Sequence, residues 1–505
     1  MIQNGCKITT NTKHIVRGDV FFCFHEAEKY LTADIFEKSD KIFCESGFIN
    51  RVFLNSSIFP SELLDKYKDK IFETENLKKK LTESLQIEYP QSCNLIAITG
   101  TKGKTSTAWY VMQILGLCGI KCGYIGTIGV YFFDGNEIEK VNKDYTLTTP
   151  SADEIYRYIH ELQQCGAETI VFEASSHALF QGRIDGLKIK CGCFTNLSQD
   201  HLDYHKTINA YFEAKSLLFS KYIDNDGICV INNDDTYGKK LIDICKKRNL
   251  LTKLVGVNDD KNAIKIKSIN ESGDFQMVVF KVGNEAFMFN TTILGQFQIY
   301  NLIEAVEICH CVGNISYQDV CNVIVNVNAP IGRMQRIDGT NIFIDFAHTP
   351  KSLEEGIKLL KSRYKKVAVV FGCGGDRDKK KRPIMCEIAA KMADFTIITS
   401  DNPRFENPSD IIKDIVCFIE NRANDLKNDD FVKDEINKID TMYNSKYCEY
   451  KVIEDRHEAI KFAVEKFLNN NEYVVMIAGK GHEDYQIIGD QKNHFSDFEE
   501  VKKNL

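Results

Sequence analysis

An apolar strand that runs directly into a glycine-bounded turn and then a helix leaves a chain few ways to fold, and residues 95–117 have this form. Leu95-Ile96-Ala97-Ile98-Thr99 reads as a buried strand, Gly100-Thr101-Lys102-Gly103-Lys104-Thr105-Ser106 as the turn, and about Ser106 to Leu117 as the helix. Such a unit opens a βα repeat and predicts an α/β fold with a mostly parallel sheet. The turn leaves backbone N–H groups free to cradle phosphate oxygens, and the helix N-terminus adds partial positive charge at the same place. Lys104 is then spaced to reach the outer phosphates of ATP, and the Thr105 hydroxyl to sit on Mg²⁺. The general nucleoside-triphosphatase loop carries a glycine where this chain has Ile98, so the loop is a variant of that form.

At 505 residues the chain is too long for one core, and roughly 100 to 200 residues per domain predicts three. The expected organisation is a small mixed α/β N-terminal domain over residues 1–88, a central P-loop ATPase domain over 89–330 and a C-terminal Rossmann-like domain over 331–505. In the first, Asp19 to Phe24 and Lys41 to Cys44 read as strands and Glu73 to Tyr89 as a charged connecting helix. In the second, Thr169 to Phe172 and Gly227 to Ile231 alternate with helical segments. The third has strand patterns at Asn341–Asp345, Val367–Phe371, Phe395–Thr399 and Tyr473–Ile477, consistent with a doubly wound sheet. The polar stretch Asn421 to Ser445 reads as surface helix and loop without chemistry.

Composition narrows the partners. A hydrophobic content of 43% and 27% charged residues fit a globular protein, and no apolar run approaches membrane-spanning length. The N-terminus lacks the apolar stretch of a signal peptide, so a cytoplasmic location is expected. A net charge of −7 gives no footprint for nucleic acid. Small-molecule substrates and a monomer are expected. The 18 cysteines are scattered, and the groupings Cys191-Gly192-Cys193 and Cys309-His310-Cys311 lack a second pair at zinc spacing.

Ligands of open α/β sheets collect at the C-terminal ends of strands. Two polar blocks fall there: Glu173-Ala174-Ser175-Ser176-His177 after the strand ending at Phe172, and Thr195 to His205 after the strand ending at Phe194. Glu173 and His201 are therefore candidate ligands of a second Mg²⁺.

With Thr148-Thr149-Pro150, Arg183, Tyr300-Asn301, Gly332-Arg333-Met334, Asp345-Phe346-Ala347-His348-Thr349-Pro350, Phe371 to Pro383, Asp401-Asn402-Pro403-Arg404 and Gly479-Lys480-Gly481-His482-Glu483, these blocks resemble the Mur ligases in content and order. The resemblance implies an ATP-dependent, ADP-forming amide ligase of peptidoglycan precursor synthesis. A carboxylate of a UDP-linked muramoyl dipeptide would attack the γ-phosphate of ATP, and an amine would displace the phosphate from the resulting acyl phosphate. It implies that Lys104, Glu173 and His201 serve this step with Mg²⁺, and that Lys215 carries a carbamate (N6-carboxylysine). By the same carry-over Asn301, Arg333 and Asp345 hold ATP, Thr148 and Thr149 bind the UDP-sugar peptide, and Ser176 and Arg183 lie beside its pyrophosphate or peptide. His348 reads equally as a turn residue or a nucleotide contact.

The Asp401 to Arg404 block resembles the diaminopimelate-adding branch. Meso-diaminopimelate has a second carboxylate that lysine lacks, and a guanidinium can hold it bidentately. Arg404 is assigned that task, with Asn402, Arg377, Gly479 and Glu483 around the same end of the amino acid. The stretches Asn11 to Asp19 and Phe24 to Tyr30 depart from the family's uridine-end pattern, and Gln298, Gln335 and Phe346 stand where it favours Asn, Glu and Tyr. Two rival readings follow. One is a paralogue that joins an amino acid to another carboxylate acceptor, favoured by that divergence. The other is a non-catalytic nucleotide-binding module, opposed by Lys104, Glu173, His201 and Lys215.

Overall fold

A strand in which nearly every side chain is apolar has to be covered on both faces, and Leu95 to Ile98 are fully buried in the strand Asn94–Thr99. The structure, a computed structural model, describes residues 7–24, 31–46, 48–49, 66–142, 147–259, 262–272, 275–426, 442–444 and 449–505. Asn94–Thr99 lies between two parallel neighbours, Ile189–Phe194 and Thr169–Glu173, within an eleven-stranded sheet. The parallel run continues through Ile223–Asn232, Leu251–Gly256 and Ile264–Ser272 on one side and Cys122–Gly126 on the other. Antiparallel strands finish both edges, Phe275–Val282 and Glu285–Thr291 at one and Gly129–Phe133 and Ile138–Asn142 at the other. In Phe275–Val282 buried residues alternate with more exposed ones, the pattern of a strand covered on one face only.

The chain packs as two units, Met1–Thr292 with Gln296–Val327, and Ile293–Gly295 with Asn328–Leu505. The first also holds a parallel four-stranded sheet of Ile8–Thr9, Asp19–Cys23, Ser39–Glu45 and Ile71–Thr74. The helix predicted over Glu73–Tyr89 is shorter, Leu77–Glu88, because Ile71–Thr74 pairs as an edge strand and Asn76 caps the helix by accepting from the Lys79 N–H at 2.9 Å. Leu77, Leu81 and Leu85, four residues apart, are its buried stripe. Asp153 accepts from the Thr10 hydroxyl at 2.8 Å and ties the first sheet to the helix Ala152–Gln164. Residues 25–30, part of the divergent uridine-end stretch, lie outside the described residues.

The second unit is a seven-stranded sheet, led by Gln335–Arg336 and ordered Ile342–Asp345, Tyr473–Ala478, Lys366–Phe371, Phe395–Ile398, Glu449–Val452, Met442–Asn444. Period-two alternation divides its strands between two cores. Val367, Val369 and Phe371 pack with residues of the helices Pro350–Lys361, Lys381–Met392 and Pro408–Leu426, while Ala368 and Val370 pack with Arg456–Phe467 and Asp497–Lys503. This is the doubly wound arrangement the sequence predicts. Of the polar stretch 421–445, the part to Leu426 completes a helix, and the rest is described only as the strand Met442–Asn444. Among the described residues no helix is long and apolar enough to cross a membrane.

Candidate functional site

The glycine turn is built by close approach. Gly100 has φ +154° and a Cβ there would lie 2.0 Å from Thr195 Oγ1, while Gly103, at φ +88°, is the N-cap of the helix Lys104–Leu117. With no side chain at its N-cap, the first turn of that helix keeps its N–H groups for a ligand. The turn is pinned to the strand end beside it. Asn196 accepts from the Thr101 N–H at 2.8 Å and from the Lys102 N–H at 3.0 Å, and the Thr195 hydroxyl donates to Lys102 O at 2.6 Å. Lys104 Nζ donates to Gly100 O at 2.9 Å and Thr101 O at 3.0 Å, and Lys215 Nζ reaches the same Gly100 carbonyl at 2.6 Å. Lys215 is 1% exposed, and burial, reinforced by the neighbouring Lys104 charge, holds its amine well below the usual lysine range. Tyr211 lies under the Lys215 ammonium at 4.5 Å and also packs edge-on to His201, with ring centres 6.0 Å apart. Thr105 and Ser106 are buried in the first helical turn.

Glu173 ends its strand in a nest of donors. Its carboxylate accepts from Tyr124 OH at 2.5 Å, from the Thr127 N–H at 2.7 Å and from the Thr127 hydroxyl at 3.1 Å. Trp109 meets Tyr124 edge-on with ring centres 5.5 Å apart, an aromatic contact of about 0.5–1.5 kcal/mol that helps hold the phenol in place. The Thr127 hydroxyl also pairs with the Thr148 hydroxyl, 3.2 Å away, and Thr149 donates to Glu173 O at 2.7 Å. Arg183 Nη1 donates to Thr149 O at 2.7 Å, and Ser176 pairs with His205 at 3.0 Å. The candidate residues Thr148, Thr149, Glu173 and Arg183 are thus one hydrogen-bonded cluster. His201, at φ 50° and half-exposed, stacks edge-on to His177, with ring centres 5.0 Å apart. Among the described residues no group of three or more His, Cys, Asp or Glu gathers as a metal cage. Mg²⁺ needs no such cage, because it keeps waters and takes phosphate oxygens beside one or two protein groups. The Thr105 hydroxyl and Glu173 carboxylate are hard oxygen donors of the kind it prefers.

In the second unit Asp345 ends the strand Ile342–Asp345. Its carboxylate accepts from the Met334 N–H at 2.7 Å, and burial pushes it up to about 6 against the pull of Arg333. Arg333 lies over the Phe346 ring, 4.9 Å from its centre. Gly479 N–H donates to Asp345 O at 3.1 Å, and His348 Nδ1 pairs with Phe346 O at 2.8 Å within the turn.

Two loops of this unit, 374–377 and 402–406, are bonded to each other. Gly375 N–H donates to Asn402 O at 2.9 Å, Arg404 Nη1 to Gly375 O at 2.8 Å, and Asp376 N–H to Glu406 at 2.6 Å. Arg404 and Asp376 both take left-handed backbone, φ 53° and 52°, a strain that the cross-bonding sustains. Behind them Arg382, fully buried, holds Glu406 bidentately at 2.9 and 3.0 Å and Asp414 at 2.8 Å. With Lys379, it draws Glu406 down to about 2. Asn402 donates to Glu483 at 2.9 Å and accepts from the Ile487 N–H at 2.9 Å. Lys480, fully buried, stands 3.8 Å from the carboxylates of both Asp401 and Glu483. Burial pushes Glu483 up and Lys480 down, each toward its neutral form. Arg377 is exposed on the first of the two loops.

Residues 98–309 match the family profile of the Mur ligase middle domain, and residues 332–481 that of the Mur ligase, glutamate ligase domain. The chain belongs to the Mur ligase family. It is 40% identical over 439 residues to the UDP-N-acetylmuramoyl-L-alanyl-D-glutamate–2,6-diaminopimelate ligase of Rickettsia conorii, covering 86% of this chain and 85% of that one. The proteins of the same name from Rickettsia prowazekii and Coxiella burnetii are 36% and 35% identical, each over 99% of this chain and 95% of theirs. A solved structure of a ligase with that name superposes with a TM-score of 0.64 at 27% identity, covering 99% of this chain and 94% of that one. The MurF ligase of Thermotoga maritima in complex with ADP superposes at 0.56 with 16% identity, covering 99% and 96%, and shares the fold.

Several residues that shape the site of this Mur ligase escape a sequence reading. Tyr124 and Thr127 orient Glu173 from 49 and 46 residues away, with no local pattern to announce them. Arg382 closes the charged run Lys379-Lys380-Lys381-Arg382, which reads as a solvated face. Its helical spacing to the buried Met385, Cys386 and Ala389 is the signal that sets it apart. Gln298 and Phe346, departures from the family pattern, are both engaged, the first accepting from Tyr110 OH at 3.1 Å and the second carrying Arg333.

Proposed function

We propose that this Mur ligase joins meso-diaminopimelate to UDP-N-acetylmuramoyl-L-alanyl-D-glutamate, cleaving ATP to ADP and phosphate. The observation that carries the reading is the paired loop of the second unit, where the Arg404 guanidinium, the Asn402 amide and the Glu483 carboxylate are held together. A fixed cation beside an acceptor carboxylate complements an amino acid end that carries both carboxylate and ammonium. Lysine would leave Arg404 unpaired, and sites built to bond a polar group can reject analogues lacking it by about 10⁴ or more. The names of the relatives at 40%, 36% and 35% identity agree with this choice of substrates.

In the first unit the turn at Gly100 to Ser106 is assigned the phosphates of ATP, with Lys104 as the cation at the transferring group. Asn301 belongs to the same site, and Arg333 and Asp345 keep the nucleotide roles that the resemblance implies. The acceptor carboxylate attacks the γ-phosphorus, ADP leaves, and the amine then displaces phosphate from the acyl phosphate and gives up a proton. Thr148, Thr149, Ser176 and Arg183 are assigned to the acceptor. Thr105, Glu173 and His201 are the groups that would hold Mg²⁺, which when bound neutralises charge on the phosphates. The test is ADP release across a matrix of acceptors and amino acids. The reading stands if turnover requires the UDP-linked dipeptide and diaminopimelate together. It falls if that pair gives no ADP, and a different acceptor giving ADP would establish the paralogue instead.

Lys215 is assigned a carbamate. An amine held well below the usual range is more readily unprotonated than an ordinary lysine and so adds more readily to CO₂, and the carbamate would attract a metal that an ammonium repels. Enzyme prepared free of CO₂ should lose most of its activity and regain it with bicarbonate, and its native mass should rise by one CO₂. Bicarbonate-independent activity, with no added mass, would remove the assignment.

A further inference from the structure

Three polar side chains on one face of the helix Gln296–Gly313 meet the phosphate-loop helix Lys104–Leu117 in a dry interface. Gln298, Asn301 and Glu304 are 4%, 4% and 0% exposed. Gln298 Oε1 accepts from Tyr110 OH at 3.1 Å and from Asn301 Nδ2 at 2.9 Å. Asn301 Oδ1 presses on the glycine turn so closely that a Cβ at Gly103 would lie 2.4 Å from it. One turn further, Glu304 Oε2 accepts from the Thr107 hydroxyl at 3.0 Å, and Thr107 N–H donates to Gly103 O at 2.8 Å. The other carboxyl oxygen, Glu304 Oε1, is buried without a hydrogen-bond partner among the described residues.

Two apolar helices would slide and rotate against each other at little cost, whereas a buried polar bond between them specifies one register. We propose that Glu304 is a positioning residue for the nucleotide: through Thr107 it fixes the phosphate-loop helix against Asn301, and it does so as a neutral carboxylic acid. The inference rests on nucleotide binding at this turn, which binding by the parent at neutral pH checks separately.

The surroundings keep Glu304 uncharged. Burial pushes its carboxyl up to about 8, and the Thr107 hydroxyl is the one bond that draws it back. The phosphate-loop helix presents that hydroxyl, while Lys104 at its start is turned to Gly100 O and Thr101 O. Cys193 on the neighbouring strand and Tyr300 on the same helix face Glu304, and burial raises both, so they too are neutral. Because the folded value lies above the unfolded one, the stability Glu304 contributes is full below the ordinary carboxyl range. It is lost as pH rises towards about 8. Above that value an unpaired anion stands beneath a site that binds a polyanion, and phosphate affinity falls.

The experiment is calorimetric titration of full-length protein with Mg-ADP from about pH 7 to about pH 9.5, for parent, Glu304→Gln and Glu304→Leu. The parent should weaken about five- to tenfold across the range. Glu304→Gln, neutral and able to accept from Thr107, should match the parent within about threefold at pH 7 and stay flat. Glu304→Leu should bind about tenfold more weakly at pH 7 while the KM for the amino acid is unchanged. If Glu304→Leu fails to fold, Glu304→Gln decides alone. A Glu304→Gln profile that weakens with pH as the parent does would overturn the proposal, as would a folded Glu304→Leu that binds as tightly as the parent.

Discussion

With Lys104 replaced by alanine, ADP release should fall by about three orders of magnitude or more while the fold is kept. A preorganised cation at a transferring phosphoryl group has an effect of that size, because the protein supplies this reaction with little beyond alignment and charge. The side chain bonds to the carbonyls of its own turn, Gly100 and Thr101. Removing it leaves the pinning bonds from Thr195 and Asn196 intact. The variant should therefore melt within a few degrees of the parent. It also removes the neighbouring charge that helps hold the Lys215 amine low, so less of that amine is free to take up CO₂. Steady-state kcat with saturating substrates is the measurement. A value within about tenfold of the parent would show that Lys104 is a turn residue only.

Arg404→Ala should raise the KM for diaminopimelate by about 10² to 10³, leave the KM for ATP within about twofold, and abolish most of the preference over lysine. A charge-assisted pair lost from a sheltered site costs about 2–5 kcal/mol, and most of that falls on the ligand that carried the matching charge. The backbone should hold although the bond from Arg404 Nη1 to Gly375 O is lost, because the bonds from Gly375 N–H to Asn402 O and from Asp376 N–H to Glu406 remain. Arg404 N–H donates to Ile487 O at 3.0 Å and Arg404 O accepts from the Gly489 N–H at 2.7 Å, neither of which involves the side chain. The left-handed φ is strained for arginine and alanine alike, so the exchange adds little of its own. Competition between diaminopimelate and lysine, followed by the mass of the product, reads the outcome. Unchanged choice and affinity would place the specificity elsewhere on the two loops.

What could be read from the sequence was local in the chain. The phosphate turn is seven consecutive residues whose glycines, lysine and hydroxyls do their work where they stand, between a strand and a helix recognisable from their own patterns. The strand Tyr473–Ala478 and its neighbours were likewise evident, because a strand covered on both faces shows as an unbroken apolar run. The edge hairpin Phe275–Thr291 was missed, since one face is more open and the alternation is diluted by charged residues; the apolar, buried strand Gly129–Phe133 was missed as well. Glu73–Tyr89 looked helical throughout because composition does not distinguish an edge strand from the helix that follows it. Asn76, the cap, was the local mark that divides them.

The tertiary structure decided which chemistry each of those residues meets. Lys215 reads as an ordinary helix lysine until folding brings it across 115 positions to the Gly100 carbonyl and takes it out of water. Glu304 carries no distinguishing motif until it is found beneath the phosphate-loop helix with one oxygen unpaired among the described residues. Arg382 becomes the anchor of two loops once its helix turns it inward. A sequence by itself fixes propensity and spacing along the chain, and those selected an α/β fold and a phosphate-binding turn here. Burial and the approach of distant charges arise only when the sheet is assembled, and these are what set protonation, rigidity and the choice of substrate.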